Sequence, residues 1–244
     1  MSSAQPSGPI PNPFTEPYGD GVSEYERYLR THDLLRLQKP PAERSHPDEL
    51  FFQSMHQTEE LWMKVMVHDL GEAVVALHVD DFAEARRALD RVTAAGEIVE
   101  RQLRLFEHMV PAAYLAIRAR LGHGSGMDSP GFLRLNAVAP MVWDHFERGL
   151  ARHRLELMAI YDEPSAHSGL LAVAEGLLNV DAGWQRFKRE HVLVVRRIIG
   201  IGTASLRGNP MELLERSAQL TWFPMLWAVR DRMFVDFKVG PLVT

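Results

Sequence analysis

ELFFQSMHQTEELWMKVMVHDLGEAVVAL, residues 49–77, is the stretch that decides the fold. Phe52, His56 and Glu60 are spaced four residues apart, so a helix would place them on one face. No proline interrupts this pattern anywhere along the stretch. We therefore predict one long helix that ends at about Leu77.

The residues on either side of this helix carry capping signals. Ser45 and Asp48 have the spacing of a capping box, with aspartate in place of the usual glutamate. Asp80 or Asp81 is suited to cap a second helix. The helical pattern of that second segment continues to about Met109.

The pattern of the rest of the chain also predicts helices separated by loops. Pro111 suits the first turn of a short helix that ends near Gly122. Later helices are predicted over 132–161 and from 211 to about 237. Between them, a short helix and a long helix that ends at Gly200 are predicted. Loops are predicted over 123–131, 162–169 and 202–210. We find no alternating strand pattern, hairpin signal or internal repeat. The predicted fold class is all-α.

Composition indicates a single helical domain after a short arm. Residues 1–22 are rich in Pro, Gly and Ser, and we expect them to form a flexible N-terminal arm. Residues 23–244 are then one helical domain, because a chain of 244 residues suits one large core.

Charge and residue usage exclude several classes of protein. The net charge of -5 and the lack of a basic block argue against a nucleic-acid partner. No apolar run is long enough for a membrane span, and no signal peptide is recognisable, so a cytoplasmic location is expected. The chain has no cysteine, which excludes disulfides, iron–sulfur clusters and thiolate-ligated haem.

Two of the 11 histidines stand on helix faces that suit a metal or cofactor. His56 shares its face with Phe52, which would present an aromatic wall and a polar nitrogen to one cavity. His191 shares its face with Phe187 and Val195, and a neutral imidazole among apolar residues is what haem iron requires on one side. Spacing alone is equally compatible with two ordinary core histidines.

Tyr114 and Arg118 form a further pair at i, i+4 on the short helix. An arginine there can bind a carboxylate through two parallel hydrogen bonds, although a surface arginine stacked on tyrosine would have the same spacing. The chain has no HExxH, Walker, GxGxxG or nucleophile-elbow motif. The residues by themselves therefore indicate an all-α protein with a possible histidine-ligated metal or haem.

Four blocks of the sequence stand out together. They are YERYL (25–29) with LLRLQ (34–38); HPDELFF (46–52) with HQTEELWMK (56–64); YLAIR (114–118), LG (121–122) and SG (125–126); and His191 with RIIG (197–200), FP (223–224) and VR (229–230). In their order and internal spacing these blocks resemble the tryptophan 2,3-dioxygenase family, which is a group of haem enzymes. The resemblance runs from Tyr25 to about Met233, with one weak central stretch.

The resemblance implies a helical bundle that encloses haem b and acts on an aromatic amino acid and O₂. His191 matches the proximal ligand of the haem iron, and His56 matches the distal histidine that faces the indole N–H. The other matches concern the substrate carboxylate (Arg118, supported by Tyr114), the indole wall (Phe52), the loop beside the haem (Ser125, Gly126), the substrate's amino-acid end (Thr203) and residues that reach into a neighbouring subunit (Tyr25, Tyr28, Leu29). The last group implies a homo-oligomer, which is a tetramer in the family.

Two departures from the family lie near the substrate. The loop after the proximal helix reads Gly202-Thr203-Ala204-Ser205, where the family has Gly-Thr-Gly-Gly, and Ala and Ser resist backbone conformations that glycine allows. The segment between Gly126 and His191 is also shorter than in the family, and residues 127–130 differ from its usual ones.

Three functions are compatible with these features. The first is a dioxygenase that opens the indole ring of tryptophan to an N-formylkynurenine. The second is a monooxygenase of specialised metabolism that forms a 2-oxindole or hydroxylated product from a modified tryptophan such as β-methyltryptophan. The third is a haem sensor, or a helical protein that has lost its haem.

Overall fold

A computed structural model describes residues 21–122, 124, 126–202, 204, 208 and 210–236. These residues form helices and contain no strand, which confirms the predicted all-α class. The predicted arm over 1–22 lies outside the described residues except for Gly21 and Val22. The α-helices are α1 (Glu24–Leu29), α2 (Thr31–Leu34), α3 (Glu49–His78), α4 (Phe82–Leu103), α5 (Pro111–Arg118), α6 (Pro130–Arg152), α7 (Ala159–Asp162), α8 (Ser168–Ile199), α9 (Met211–Ser217) and α10 (Pro224–Asp236). Short 3₁₀ turns occur at Pro41–Glu43, Arg104–His108 and Gly126–Asp128.

The start of α3 corrects the predicted capping box. Asp48 occupies the cap position but its side chain makes no capping bond. Ser45 instead donates from its backbone N–H and its hydroxyl to Glu49, at 2.6 and 2.8 Å. The buried Glu49 carboxylate also accepts a bond from Lys39, at 2.6 Å. Burial by itself would raise the pKa of Glu49, but these donors outweigh it and lower the pKa to about 2.

The start of α4 confirms a capping prediction, whereas three helix bounds differ from expectation. Asp81 accepts a hydrogen bond from the backbone N–H of Glu84, at 3.0 Å. The α-helical part of this segment ends at Leu103, and the 3₁₀ turn continues it to His108. The helix predicted to reach Tyr161 ends at Arg152, and Arg154 then adopts φ +57°. The two helices predicted before Gly200 form the single helix α8.

Helix α4 packs against both α3 and α8, and α6 packs against the other side of α3. Fully buried leucines of α3, α4 and α8 fill the interior between them. Gly176 lets α8 approach α4 closely, because a Cβ there would lie 3.1 Å from side-chain atoms of Arg86 and Leu89. Among the described residues, no helix is both long and apolar enough to cross a membrane.

The C-terminal helices are held against α8 by two buried charged residues. The fully buried Asp181 accepts hydrogen bonds from the backbone N–H groups of Trp222 and Phe223, at 3.0 and 3.1 Å, and from the indole of Trp227 at 3.0 Å. Two turns along α8, Lys188 donates to backbone carbonyls of the α9–α10 segment. Asp181 therefore fixes the segment just before α10 to α8.

We expect Asp181→Ala to lower the free energy of unfolding by roughly 3–5 kcal/mol, because three donors, one buried and two partly buried, lose an acceptor that is fully buried. Asp181→Asn has the same shape and keeps one acceptor oxygen, so its loss should be smaller. Urea denaturation followed by circular dichroism measures both variants. A loss of under about 1 kcal/mol for Asp181→Ala would contradict this role of the carboxylate.

Candidate functional site

His56 lies on α3 with its tautomer fixed by the helix itself. Its Nδ1 is 2.8 Å from the backbone carbonyl oxygen of Phe52, one turn earlier. A carbonyl can only accept, so Nδ1 carries the proton and donates it to this bond. Nε2 is therefore left as a free acceptor at the tip of the ring.

The ring of His56 lines a cavity of about 560 Å³. Solvent can reach the residue, yet protein atoms surround the ring closely enough that burial lowers its pKa. Both observations place the ring in a concave part of the surface. Because its pKa is lowered, the imidazole is neutral there at neutral pH. The cavity lies between α2, α3 and the start of α6, with a mostly apolar lining: Leu34, Leu37, His56, Gln57, Glu60, Leu61, Lys64, Val67, Pro130, Gly131 and Arg134.

Two aromatic rings lie beside His56, and a third lies beside one of them. The ring of Phe52 is centred 4.3 Å from the imidazole, and Phe106 is centred 5.2 Å from it. Tyr114 of α5 is centred 6.2 Å from Phe52. The structure thus brings together Phe52, His56 and Tyr114, as the sequence predicted. It adds Phe106, which sequence reasoning missed; its only sequence signal is the apolar spacing that continues past the end of α4.

His191 lies on α8 with a half-buried side chain. Burial lowers the pKa of His191 to about 4, and the nearby imidazole of His56 acts in the same direction. Phe187 lies one turn earlier, with its ring nearly parallel to the imidazole and 6.3 Å away. Within the described part of the chain, neither ring nitrogen of His191 has a hydrogen-bond partner.

Arg118 connects α5 to the loop that follows α8. Its Nη2 donates to the carbonyl oxygen of Ala204, at 2.9 Å. Ala204 stands where the family has glycine, so the altered loop and the predicted carboxylate clamp are in direct contact. Thr203 and Ser125, also predicted site residues, lie outside the described residues.

The start of α6, which departs from the family in sequence, is bound to the same face of α3. Ser129 caps α6 by accepting from the N–H of Phe132, at 3.0 Å, and its hydroxyl donates to Glu60. Glu60 also accepts from the N–H of Gly131, at 2.9 Å. Gly131 is required here because a Cβ would lie 2.7 Å from both Glu60 and Met63. The predicted site residue Gly126 begins the 3₁₀ turn just before this cap.

Three predicted site residues lie away from this cavity on α1. Tyr25, Tyr28 and Leu29 are 70%, 88% and 45% exposed. In the described part of one chain, none of the three lines the cavity beside His56.

Glu59, three residues beyond His56, is a buried acid among the buried methionines of α3. One of its carboxylate oxygens is buried without a hydrogen-bond partner. Burial, with the nearby charge of Glu60, raises the pKa of Glu59 to about 8. The carboxyl group is therefore protonated in the folded chain at neutral pH.

We expect Glu59→Met to stabilise the fold above pH 5 and to flatten its dependence on pH. The unfolded chain releases this proton near pH 4.5 and the folded chain only near pH 8, so stability falls as pH rises through that window. The gain at pH 8 should reach up to about 4 kcal/mol and should vanish near pH 4. Thermal unfolding from pH 4 to 9 tests this. Equal gains at both ends would show that packing, not ionisation, is responsible.

Comparisons with known proteins agree with this geometry. The family model described as "Tryptophan 2,3-dioxygenase" matches residues 16–139. A tryptophan 2,3-dioxygenase of Xanthomonas oryzae pv. oryzae (strain PXO99A) is 28% identical over 90% of this chain and 91% of its own. Those of Xanthomonas campestris pv. campestris (strain B100) and Serratia proteamaculans (strain 568) are 27% and 26% identical, over 89% and 86% of this chain and 90% and 92% of their own. This chain belongs to the tryptophan 2,3-dioxygenase family.

Proposed function

We propose that this protein is a haem-dependent oxygenase that inserts oxygen from O₂ into the indole ring of L-tryptophan or a close derivative, giving N-formylkynurenine from tryptophan. One observation carries the proposal. Nε2 of His56 is left as an acceptor on a ring that lines a cavity beside Phe52 and Phe106, and the neutral imidazole of His191 lies close enough for His56 to affect its pKa. One nitrogen is suited to an N–H group of a substrate, and the other to a metal.

The residues around His191 fit a haem. Iron binds a deprotonated ring nitrogen, and a pKa of about 4 keeps His191 available at neutral pH. The parallel Phe187 ring lies beside this imidazole, and the neighbouring Val192 and Val194 of α8 are buried. When bound through His191, ferrous haem b supplies the iron that activates O₂. Ser125 and Gly126 are proposed to border it, on the family resemblance.

His56, Phe52 and Phe106 are proposed to hold the indole ring. Nε2 of His56 accepts the indole N–H, and the neutral state of the imidazole makes it an acceptor. The two phenyl rings form a wall that a flat aromatic side chain can contact. Because indole is electron-rich, these residues mainly orient the substrate and exclude water.

Arg118 is proposed to bind the substrate carboxylate, with Tyr114 beside it and Thr203 at the amino-acid end. One N–H of Arg118 is used by Ala204, and within the described part of the chain its other donors remain for a carboxylate. Binding of both the carboxylate and the indole N–H fixes the position of both ends of the substrate.

The exposed residues of α1 support a homo-oligomer, with a tetramer proposed from the family resemblance. Tyr25, Tyr28 and Leu29 would close the site of a neighbouring subunit. Their exposure in one chain agrees with such an arrangement.

A monooxygenase that acts on a modified tryptophan such as β-methyltryptophan is the second candidate. The bond between Arg118 and Ala204 favours it, because the altered loop then borders the substrate's amino-acid end directly. A different loop can hold the substrate differently and change the fate of the second oxygen atom.

The mass of the product tests both candidates. Haem-loaded, reduced protein is supplied with ¹⁸O₂ and L-tryptophan, with and without ascorbate, and then with β-methyltryptophan. Two labelled atoms in a ring-opened product establish the dioxygenase. One labelled atom, dependent on reductant, establishes the monooxygenase. No product from either substrate would overturn the proposed function.

A further inference from the structure

Gln102, near the end of α4, crosses to α3 at the turn that carries His56. Its Nε2 donates to the backbone carbonyl oxygen of Met55, at 2.8 Å, and to the hydroxyl of Thr58. The Thr58 hydroxyl in turn donates to the carbonyl oxygens of Ser54 and Met55, at 2.8 and 2.9 Å. One side chain of α4 therefore holds the backbone immediately before His56.

The contact with Met55 bears directly on His56, because the two residues share one peptide group. A peptide group is planar, so fixing the Met55 carbonyl also fixes the amide nitrogen and Cα of His56. Helical hydrogen bonds alone leave α3 free to shift as a whole relative to its neighbours. Gln102 removes that freedom at this turn, since it anchors α3 to α4.

The far side of His56 is fixed independently. The bond from Nδ1 to Phe52 sets the rotation of the ring, as described above. The backbone bond from Gln102 and the ring bond to Phe52 together leave Nε2 with one position. A hydrogen bond to a substrate loses strength quickly when donor and acceptor are misaligned, so this position matters.

We propose that Gln102 is a positioning residue that holds His56 in register for the indole N–H of the substrate. This inference rests on the role proposed for His56. It assigns no contact between Gln102 and the substrate. Replacing Gln102 should therefore change the affinity for substrate only through His56, by weakening the one hydrogen bond between Nε2 of His56 and the indole N–H.

Gln102→Met tests this, because methionine has a similar length but no donor. Two ligands are titrated against haem-loaded protein by absorption: L-tryptophan and 3-(3-benzothienyl)-L-alanine, in which sulfur replaces the indole N–H. We expect Gln102→Met to weaken the binding of tryptophan by about fivefold, the scale of one hydrogen bond. The binding of the sulfur analogue should change by less than about twofold.

A double-mutant cycle with His56→Ala completes the test. Without His56, adding Gln102→Met should have no further effect on tryptophan binding. The matched control is Arg86→Met, which removes a bond from α4 to the Ala172 carbonyl of α8, at 2.9 Å, at the other end of α4. That variant should lower thermal stability about as much and leave both affinities unchanged.

The outcomes separate the possible failures. If Gln102→Met weakens both ligands equally, or adds to the effect of His56→Ala, Gln102 is only structural and the proposal is overturned. If the wild-type protein binds both ligands equally and His56→Ala changes neither affinity, the role of His56 is wrong and this proposal fails with it.

Discussion

His191→Ala should give a folded protein that no longer holds haem tightly. The substitution removes the imidazole proposed as the iron's protein ligand and leaves the packing of α4 on α8 in place. Loss of a supporting group near a metal typically costs 10–100-fold in affinity, so loss of the ligand itself should cost at least about 100-fold. Haem titration followed at the Soret band measures this, and the oxygenase activity should disappear with it.

His145→Ala provides the matched control for this experiment. His145 lies on α6, and its Nδ1 contacts the carbonyl oxygen of Met141, at 2.9 Å, so it is a histidine held within its own helix. Its replacement should leave haem affinity unchanged. Added imidazole should partly restore the Soret band of His191→Ala, because it can occupy the space left by the side chain. An unchanged haem affinity in His191→Ala would overturn the assignment of the ligand.

Local sequence patterns predicted the parts of the fold that depend on local interactions. The ends of α3, the Asp81 cap of α4 and the first turn of α5 all follow from residues within a few positions of each other. The pairs Phe52–His56 and Tyr114–Arg118 belong to the same class, since a helix brings i and i+4 together wherever it lies.

Most errors arose where residues far apart in the sequence decide. The two helices predicted before Gly200 form the single helix α8, which packs closely on α4 at Gly176. Phe106 lies beside the ring of His56 and Gln102 binds the carbonyl oxygen of Met55, and no spacing in one segment could show either contact. The capping error at α3 is local, because Ser45 donates to Glu49 and does not accept a bond from the helix.

Arg118→Met should weaken the binding of L-tryptophan by about 10²- to 10³-fold. Methionine keeps most of the length of the side chain but removes the charge and every donor. Each hydrogen bond between charged groups contributes about 1.5–3 kcal/mol, and a bidentate pair supplies two such bonds. Arg118→Lys should recover only part of the loss, because a single ammonium cannot form both bonds. Arg120→Met, at the exposed end of α5, should behave as the wild type.

Two further ligands distinguish the carboxylate clamp from a role in the loop. Tryptamine lacks the carboxylate, whereas indole-3-propionate keeps a carboxylate and lacks the amino group. If Arg118 binds the carboxylate, Arg118→Met should weaken indole-3-propionate about as strongly as tryptophan and leave tryptamine unchanged. If its bond to Ala204 is what matters, the loop loosens and all three ligands weaken together. The second result would overturn the clamp and would make the altered loop, held by Arg118, the element that closes over the substrate.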